Sequence, residues 1–541
     1  MPQAELVHAG KFTGALRLLS LWRDALVCLS LANIFFLRVW EETLSYRRHD
    51  TYLMKQVPTR ADYLAEMSAV VMVAAVLFAV AWLCRKYLPL PAYRVARFGS
   101  FALALIPLNG LRACLSSLSP YLKSPLLLLI GPRTVILLIP LFIVMVWFAW
   151  RWQRLVVRLA VAGLLSLLPF CAFTFGQATW RVVHYHGQPF LEPALAPRLA
   201  RARTAPRVVW VIFDEWDYRL TFVDRPAKLS MPAVDRLLAE SVSATHAHAP
   251  SMDTGTSLPS LITGRRLRMV VASQPTGMPR FSAEQVEGLD RMPWSHTPTV
   301  FSAARQSGFN TALIGWYLPY CRMFYNVLTD CAWWPMPIQA NSTGDTFLQK
   351  VLGQTVSLVQ TDSFSPVGQS SAVRYKARIC QEFLERSKTA VSDPAVGLIF
   401  LHVPVPHGPH PYNRLTGRFD LKNKPLTGYV DSLALMDQML SELRREIEKS
   451  GTWWETALVL SADHPDRTSV AIDGKFDSRV PFLLKLPGET KAATFDTPFT
   501  TAITSSLVLS VLNGTVASVP DALAWLERHH RDAEAPVPAT D

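Results

Sequence analysis

The sequence has neither an internal repeat nor a glycine-rich phosphate loop, and only 18% of its 541 residues are charged. The missing repeat excludes solenoid and propeller architectures, and the missing loop excludes the nucleotide-binding enzymes that depend on one. Half of the residues are hydrophobic, 50%, and the mean hydropathy is +0.18. The chain is therefore too apolar for a purely soluble protein and too long for a single domain.

Apolar residues are concentrated before residue 176, in five segments that have the composition of membrane helices: Leu19–Val39, Leu64–Cys84, Gly99–Leu115, Val135–Trp150 and Leu155–Phe175. A span needs about 20 mainly apolar residues, so the first segment, which contains Arg23 and Asp24, and the short third one are the weaker members. A cleaved signal peptide is a poor alternative because apolar segments recur so far into the chain. We predict a multi-span α-helical membrane domain over residues 1–176.

Basic residues predict how this domain is oriented. The loop after the second segment has four basic residues and no acidic one, and the loop after the fourth has two more: Arg85, Lys86, Arg94 and Arg97, then Arg151 and Arg154. By the positive-inside rule these loops are cytoplasmic, and an odd number of spans places everything after residue 176 outside. The basic cluster at 198–207 indicates a solvated linker or lipid-headgroup contact, so we expect no nucleic-acid partner.

The remainder of the chain predicts a linker, a catalytic domain and a tail. Residues 177–206 have mixed composition with four prolines, which is typical of an interfacial linker. Over residues 207–530, strand and helix patterns alternate, which predicts an α/β domain with a mostly parallel sheet. Residues 531–541 have the composition of a disordered tail.

Two strand-like apolar runs end in residues that bind metals. Arg207–Phe213 is followed by Asp214, and Thr456–Ala462 is followed by Asp463 and His464. Open α/β sheets bind their ligands at the carboxyl ends of the strands. Carboxylate and imidazole groups suit Zn²⁺ or Mn²⁺, so we predict one divalent cation at these residues, with a second metal left open.

A third segment carries hydroxyl groups ahead of a predicted helix. Ser251–Arg265 places Thr254, Thr256 and Ser257 before Leu258 and Pro259. Hydroxyl residues in this position are most often simple helix N-caps. A helix N-terminus also favours anions, however, and a metal beside a hydroxyl lowers the pKa of that hydroxyl. The alternative to a helix cap is therefore that one of these hydroxyl groups is a nucleophile.

Together these segments resemble the alkaline phosphatase and sulfatase superfamily over Val208 to Gly488, and most of all its membrane-anchored phosphotransferases. These are the lipid A phosphoethanolamine transferases and the lipoteichoic acid synthases. Thr254-Gly-Thr-Ser-Leu-Pro259 is similar to the Thr-x-x-Ser-Val-Pro of the phosphoethanolamine transferases. The spacing from Thr254 to Thr263-Gly264 is similar to that after the sulfatase nucleophile. The resemblance implies that Thr254 is both the nucleophile and a metal ligand.

The resemblance extends to a histidine-rich segment. Three histidines occur within residues 402–410, and His407-Gly-Pro is similar to the Ser-His-Gly-Pro of the phosphoethanolamine transferases. This implies that His407 contacts the substrate or acts as a general acid. His402 is a weaker substrate-binding candidate, and both it and His410 are otherwise ligands of a second metal or surface residues. Against sulfatase activity, Gly315-Trp316-Tyr317-Leu318 stands where sulfatases have Gly-Lys-Trp-His.

Seven cysteines give one candidate disulfide. Four lie in or beside the apolar segments: Cys28, Cys84, Cys114 and Cys171. Cys321 and Cys331 lie ten residues apart in an aromatic stretch, and outside the cytoplasm this pair is a candidate disulfide. Cys380 is left without a partner, so the pairing stays open.

The expected protein is a multi-pass enzyme of the bacterial inner (plasma) membrane, with its catalytic domain on the periplasmic or extracellular side. We expect a metal-dependent phosphotransferase that takes the headgroup phosphoryl group of a membrane lipid donor. A phospho-threonine intermediate would pass that group to an envelope glycan or lipid acceptor. The alternative is a sulfatase-like hydrolase of the cell envelope, a phosphodiesterase or sulfuric ester hydrolase, with water as acceptor. A non-catalytic scaffold would not need the combination of Asp214, Thr254, Asp463 and His464.

Overall fold

The computed structural model describes residues 3–44, 58–100, 103, 140, 144, 146–148, 150–185, 192–200, 202–267, 270–273, 280–283, 297–336, 346–360, 366–420 and 427–531. The chain forms two compact units. The first consists of Met1–Tyr46, Gln56–Pro189 and Asn341–Gln369, and the second of Arg47–Lys55, Phe190–Ala340 and Ser370–Asp541.

The described helices, in chain order, are α1 (Gln3–Phe35), α2 (Leu37–Leu44), α3 (Arg60–Tyr87), α4 (Leu90–Gly99), α5 (Gln153–Ser166), α6 (Leu168–Val183), α7 (Pro232–Leu238), α8 (Thr254–Thr263), α9 (Val300–Gln306), α10 (Tyr320–Met323), α11 (Phe347–Gln360), α12 (Pro366–Ser392), α13 (Thr427–Lys449), α14 (Val470–Asp473), α15 (Thr504–Leu512) and α16 (Val519–His529). The described strands are β1 (Arg207–Asp214), β2 (Val242–Ala244), β3 (Ala247–His248), β4 (Val270–Ser273), β5 (Arg280–Ala283), β6 (Thr311–Trp316), β7 (Asp330–Trp334), β8 (Leu398–Pro406), β9 (Tyr412–Asn413), β10 (Arg418–Phe419), β11 (Thr456–Ala462), β12 (Phe482–Lys485), β13 (Ala493–Phe495) and β14 (Phe499–Thr500).

In the first unit, two helical stretches of the described chain are long and apolar enough to cross a membrane. They are Arg60–Tyr87, which is α3, and Gln153–Val183, which is α5 followed by α6. Only 17% and 6% of their most apolar windows are buried. Helices that are apolar but exposed in this way are not the core helices of a soluble fold.

These two stretches contain the predicted segments Leu64–Cys84 and Leu155–Phe175. The predicted Leu19–Val39 segment is divided between α1 and α2, and neither of these described helices passes the same test. Most of Gly99–Leu115 and of Val135–Trp150 lies outside the described residues. A multi-span membrane domain therefore stays a prediction, and α6 continues to Val183, beyond the predicted boundary at residue 176.

A helix from the middle of the sequence also belongs to the first unit. α11 packs against α3, and Val351 joins the apolar cluster that includes Ala65 and Ala69. Nζ of Lys350 lies 2.6 Å from Oδ1 of Asp62, and both side chains are mostly buried. Asp62 also accepts a hydrogen bond from the Thr59 backbone N–H at the start of α3. This pairing of α11 with α3 has no counterpart in the sequence patterns.

The second unit is organised around a mostly parallel sheet. Among the described residues this sheet has eight strands in the order β13-β2-β12-β11-β1-β8-β6-β7. β12 is antiparallel to both of its neighbours, and the other neighbouring strands run parallel. Every residue of β1, β8 and β11 is buried, as expected for central parallel strands covered on both faces. The predicted α/β architecture with a mostly parallel sheet is confirmed.

A disulfide joins Cys321 on α10 to Cys331 on β7. Tyr320, on the same short helix, places its hydroxyl 2.8 Å from Nδ1 of His402 on β8. The disulfide therefore closes a loop whose helix contacts the central sheet. The other described cysteines are free thiols, of which Cys171 and Cys380 are buried.

Reducing this disulfide is expected to lower the free energy of unfolding by about 2–3 kcal/mol, because the open chain regains loop entropy when it unfolds. The measurement is denaturant unfolding of the detergent-purified protein with and without reductant. The control is the Cys321→Ser/Cys331→Ser variant, whose stability should no longer respond to reductant. An unchanged wild-type transition under reducing conditions would contradict the prediction.

Candidate active site

The candidate residues converge on one edge of the central sheet. β11, β1, β8 and β6 are consecutive parallel strands, so their carboxyl ends meet at the same edge. Asp214 ends β1, Asp463 directly follows β11, and Trp316 ends β6. His402 lies within β8 at the register position of Ile212. Ligands of open α/β sheets bind at this edge.

Asp214, Asp463 and His464 form the candidate metal centre. One ligand atom from each lies within 4.8 Å of the others, and all three side chains are buried. Nε2 of His464 is 3.5 Å from Oδ2 of Asp463 and 4.0 Å from Oδ1 of Asp214. Within the described parts of the chain this is the one cluster of that kind.

The donor set of this centre fits a divalent cation. Oδ1 of Asp214 is buried and has no hydrogen-bond partner among the described residues. Nδ1 of His464 lies 3.0 Å from the Pro465 carbonyl oxygen, which assigns the proton to Nδ1 and leaves the Nε2 lone pair on the Asp214 side. Two carboxylates and an imidazole nitrogen whose lone pair faces them are suited to Zn²⁺ or Mn²⁺.

The pKa values of the two carboxyl groups also indicate a cation-binding site. Burial raises the pKa of Asp214 well above its usual range, and the charges of Asp463 and Glu215 add to this effect. Burial also opposes ionisation of Asp463, but His464, His402 and a hydrogen bond from Thr254 together hold its pKa below the usual value. Two adjacent buried carboxylates do not both ionise readily without a compensating cation. A bound divalent cation would supply that compensation.

Thr254 is the first residue of α8 and lies directly against the metal centre. Its Oγ1 donates to Oδ2 of Asp463 at 2.8 Å and lies 3.2 Å from Nε2 of His464. The helix cap is supplied by Asp253, whose side chain accepts from the Thr256 N–H at 2.9 Å. Because Asp253 takes the capping role, the Thr254 hydroxyl is available for chemistry.

The two rival hydroxyl groups on α8 have other environments. Ser257 is fully buried and its Oγ donates to the backbone carbonyl of Asp463. Thr256 is buried, and its backbone carbonyl accepts from Ser260. The contact of Ser257 ties α8 to the end of β11 and so fixes Thr254 beside the metal centre.

The turn after β1 is strained and aims a donor at the metal centre. Glu215 has a φ of 66°, which costs a non-glycine residue about 1–3 kcal/mol. Its N–H donates to Oδ1 of Asp463 at 3.1 Å, and its carbonyl accepts from the Tyr429 hydroxyl at 2.6 Å. That hydroxyl in turn accepts from the Asp217 N–H at 3.0 Å. This network holds Asp463 with its Oδ2 facing Thr254.

His402 is completely buried and is not a surface residue. Its Nδ1 lies 3.0 Å from the Trp316 carbonyl oxygen, so Nδ1 carries the proton. Nε2 then presents a lone pair 4.0 Å from Oδ2 of Asp214, with no hydrogen-bond partner in the described chain. Burial lowers the pKa of His402 to about 4, so the ring is neutral and faces the metal centre from the β8 side.

His407 follows β8 and lies edge-on to Trp316, with ring centroids 5.1 Å apart. Its backbone N–H donates to the Asp214 carbonyl at 3.0 Å. Nδ1 is 2.6 Å from the Gly408 carbonyl oxygen, which makes Nε2 the basic nitrogen. Burial lowers the pKa of His407 below its usual value.

His410 is oriented towards Ser432, and its Nδ1 lies 3.0 Å from the Oγ of that serine.

The structure therefore brings Asp214, Thr254, Asp463 and His464 into one cluster, with His402 behind it and His407 beside it. Two further residues at this edge are absent from the sequence predictions. Trp316 contacts the rings of His402 and His407, and Lys376 lies on the face of Trp316. The end of β6 signals the position of Trp316, but no motif marks Lys376.

A hydroxyl at a helix N-terminus, beside carboxylates and an imidazole at parallel strand ends, is the arrangement of an enzyme that cleaves or transfers ester groups, with a candidate metal site at Asp214, Asp463 and His464. The sulfatase family model matches residues 206–510, more than half of the 541 residues. The chain belongs to the sulfatase family. The predicted membership of the alkaline phosphatase and sulfatase superfamily is confirmed, as is the prediction of an enzyme.

Solved structures with similarity to this chain include enzymes of different activities. The phosphonate monoester hydrolase of Agrobacterium radiobacter is 15% identical, with 59% of this chain and 77% of that chain covered and a TM-score of 0.38. The lipoteichoic acid synthase LtaP from Listeria monocytogenes is 13% identical, with coverage of 60% and 74% and a TM-score of 0.35. The sulfatase PsFucS1 from Pseudoalteromonas sp. is 14% identical, with coverage of 60% and 74% and a TM-score of 0.39. No curated protein matches the sequence. The family assignment rests on the match over residues 206–510, and the family alone does not choose between transferase and hydrolase.

Proposed function

We propose that the protein is a membrane-bound, metal-dependent phosphotransferase. It would take the headgroup phosphoryl group of a membrane lipid and pass it to an envelope glycan or lipid through a phospho-threonine intermediate. The observation that carries the proposal is the position of the Thr254 hydroxyl, 2.8 Å from Asp463 and 3.2 Å from His464 at the start of α8. A threonine nucleophile also removes the formylglycine chemistry that sulfatases perform on cysteine or serine.

Asp214, Asp463, His464 and Thr254 would hold one Zn²⁺ or Mn²⁺. When bound, the cation supplies positive charge that favours the ionised Thr254 hydroxyl and offsets the negative charge of the phosphoryl group. The N–H groups of the first turn of α8 add a further favourable field for an anion.

In the first step, Oγ1 of Thr254 forms a bond to phosphorus and the bond from phosphorus to the diacylglycerol oxygen breaks. The Thr254 hydroxyl loses one proton and the departing diacylglycerol gains one, so the step is balanced. Asp463 Oδ2, which accepts the Thr254 hydrogen bond in the resting state, orients the Oγ1 lone pairs towards the incoming phosphorus.

In the second step, an acceptor hydroxyl attacks phosphorus and the bond to Oγ1 of Thr254 breaks. The acceptor loses a proton and Thr254 recovers one. His407 is suited to accept the proton from the acceptor hydroxyl, because its lowered pKa keeps Nε2 unprotonated at neutral pH. We therefore propose His407 as the base of this step, alongside the acid or substrate-contact role that the sequence predicts.

The membrane location rests on the exposed apolar stretches Arg60–Tyr87 and Gln153–Val183. We place the enzyme in a bacterial inner membrane as a multi-pass protein, with the catalytic domain on the periplasmic or extracellular side, from the distribution of basic residues. A lipid donor is consistent with a catalytic domain that is tethered to the bilayer.

The alternative is a hydrolase of the cell envelope that uses the same residues with water as the final acceptor. Membership of the sulfatase family is compatible with this second candidate as well as with the first. The two candidates share the first step and differ only in the acceptor.

The test is intact-mass analysis of the full-length protein in detergent after incubation with phosphatidylethanolamine or phosphatidylglycerol, with Zn²⁺ or Mn²⁺ supplied. A phosphoethanolamine or glycerophosphate adduct on wild type, absent from Thr254→Ala, is expected and would identify the donor. Unchanged lipids with rapid hydrolysis of p-nitrophenyl phosphodiesters would favour the hydrolase instead.

A further inference from the structure

A buried lysine lies beside the candidate active site, and the proposed steps do not use it. Lys376 is on α12, is only 1% exposed, and places Nζ 3.6 Å from the centroid of the Trp316 ring. Nζ has no hydrogen-bond partner among the described residues. A buried ammonium group has lost its hydration and needs an anion or several acceptors in place of that water. Asp214 and Glu215 act on the charge of Lys376 through space, but no described residue forms a hydrogen bond with its Nζ.

A second buried lysine shows what such a group requires. Lys485 on β12 is also fully buried and lies over a tryptophan, with Nζ 4.5 Å from the centroid of the Trp453 ring. Its Nζ donates to the backbone carbonyls of Trp453 and Thr456, at 3.2 Å each. Thr456 begins β11, so Lys485 lies towards the opposite edge of the sheet from Asp463. The two lysines share burial and an aromatic face, but among the described residues only Lys485 has hydrogen-bond acceptors.

The carboxylates nearest to the site do not supply the hydrogen-bond acceptor that Lys376 lacks among the described residues. The side chain of Asp214 lies 4.0 Å from the rings of both His402 and His464, and Glu215 lies 3.5 Å from Arg467. Neither forms a hydrogen bond with Nζ of Lys376 within the described chain. Burial lowers the pKa of Lys376 to about 8, so the group is still mainly charged at pH 7.

Trp316 connects this cation to the reacting residues. Its ring lies under Lys376 and packs against the His407 ring at an interplanar angle of 64°. Its carbonyl oxygen accepts from His402. The indole N–H also lies close enough to Asp214 to lower the pKa of that carboxyl, although the geometry is not that of a full hydrogen bond. Lys376 therefore faces the same space as the candidate metal centre.

We infer that Lys376 is an anion-binding residue whose ammonium group contacts an oxygen of the tetrahedral phosphoryl or sulfuryl group of the substrate. The inference rests on the proposed function, because it takes Thr254 and the metal centre as the other contacts of that group. As the ester bond breaks, negative charge spreads over the non-bridging oxygens. A fixed cation in a site with little water stabilises that charge without reorganisation.

The test measures oxyanion binding without turnover. Full-length protein in detergent is titrated with inorganic phosphate and, separately, with sulfate, and the thermal unfolding midpoint is followed with and without Zn²⁺. An anion that binds only the folded state raises the midpoint. We expect a rise in wild type and its loss in Lys376→Met, with anion affinity weakened by about tenfold or more, the ratio typical of one charge-assisted hydrogen bond.

The matched control is Lys485→Met, which removes the other buried lysine. Its unfolding midpoint is expected to fall because two carbonyls lose their donor, but the shift produced by phosphate should match that of wild type. Lys376→Gln provides a second neutral variant if methionine disrupts folding, and the same loss of the anion shift is expected. Lys376→Arg, which keeps the charge, should retain part of the shift.

A phosphate and sulfate response that is equal in wild type and Lys376→Met would overturn the inference, as would no response in wild type to either anion. A shift with phosphate alone, or with both anions, supports it and indicates which ester is accepted. If the proposed function is wrong but this inference is right, oxyanion binding still depends on Lys376, and no phospho-threonine adduct forms with any lipid.

Discussion

Thr254→Ala is expected to lower the turnover of any accepted ester by at least about 10³-fold, because no other hydroxyl in the described part of the chain is placed to replace the nucleophile. Oγ1 of Thr254 is the hydroxyl that lies within hydrogen-bond distance of both Asp463 and His464 in the described chain. Folding should be preserved, since the cap of α8 comes from Asp253. The measurement is the initial rate of diacylglycerol release, or of p-nitrophenol release from a phosphodiester, with protein folding monitored in parallel.

The matched control is Thr256→Ala, which removes a hydroxyl two positions along the same helix. Its rate should stay within about tenfold of wild type, because the Thr256 side chain has no place in the proposed chemistry. Thr254→Ser should retain measurable activity through its hydroxyl. Loss of activity in Thr256→Ala with full activity in Thr254→Ala would transfer the nucleophile to Thr256.

Asp463→Asn is expected to weaken binding of Zn²⁺ or Mn²⁺ by more than about 100-fold. Loss of a residue that only supports a metal ligand weakens binding by up to about 100-fold, and loss of a ligand atom itself should have a larger effect. Oδ1 of Asp463 accepts from the N–H groups of Glu215 and His464, at 3.1 Å and 2.8 Å. The asparagine oxygen will keep these two bonds, which forces its NH₂ group into the place of Oδ2. That position then loses both its metal-binding lone pair and its acceptor for Thr254.

The measurement is metal content after dialysis together with a competitive chelator titration. Asp466→Asn is the control, because Asp466 is also a buried carboxyl but binds the backbone N–H and hydroxyl of Thr468 at 2.7 Å each. Asp466→Asn should keep the wild-type metal affinity. Equal metal content in wild type and Asp463→Asn would exclude Asp463 as a ligand.

The sequence was sufficient to predict the strand-end residues because parallel strands impose a simple geometry. β1 and β11 are adjacent and in register from Arg207 to Phe213, so the residues after them must meet at one edge. Two apolar runs with polar ends therefore predicted Asp214 and Asp463 as neighbours. The hydroxyl segment added Thr254 through its resemblance to a known motif.

Side chains that reach the site from helices were not predictable in this way. Lys376 lies within α12, a long helix of mixed polarity, and no pattern along that helix predicts that its ammonium group lies on the Trp316 ring. The sequence also did not identify Asp253 as the residue that caps α8, because Thr254, Thr256 and Ser257 have the same intrinsic tendency to cap a helix. Such choices depend on tertiary contacts that local patterns do not encode.

The pairing of α11 with α3 also determines how the protein can be divided. The chain leaves the first unit at Pro189, returns to it for Asn341–Gln369 and leaves again. A single protease cut near residue 200 would therefore not yield two self-contained fragments, because the C-terminal piece would still contain a helix that completes the N-terminal bundle. A recombinant fragment that begins at Arg207 would expose Val351 and leave Lys350 without Asp62. Deleting residues 341–369 from such a fragment would remove this unsatisfied surface.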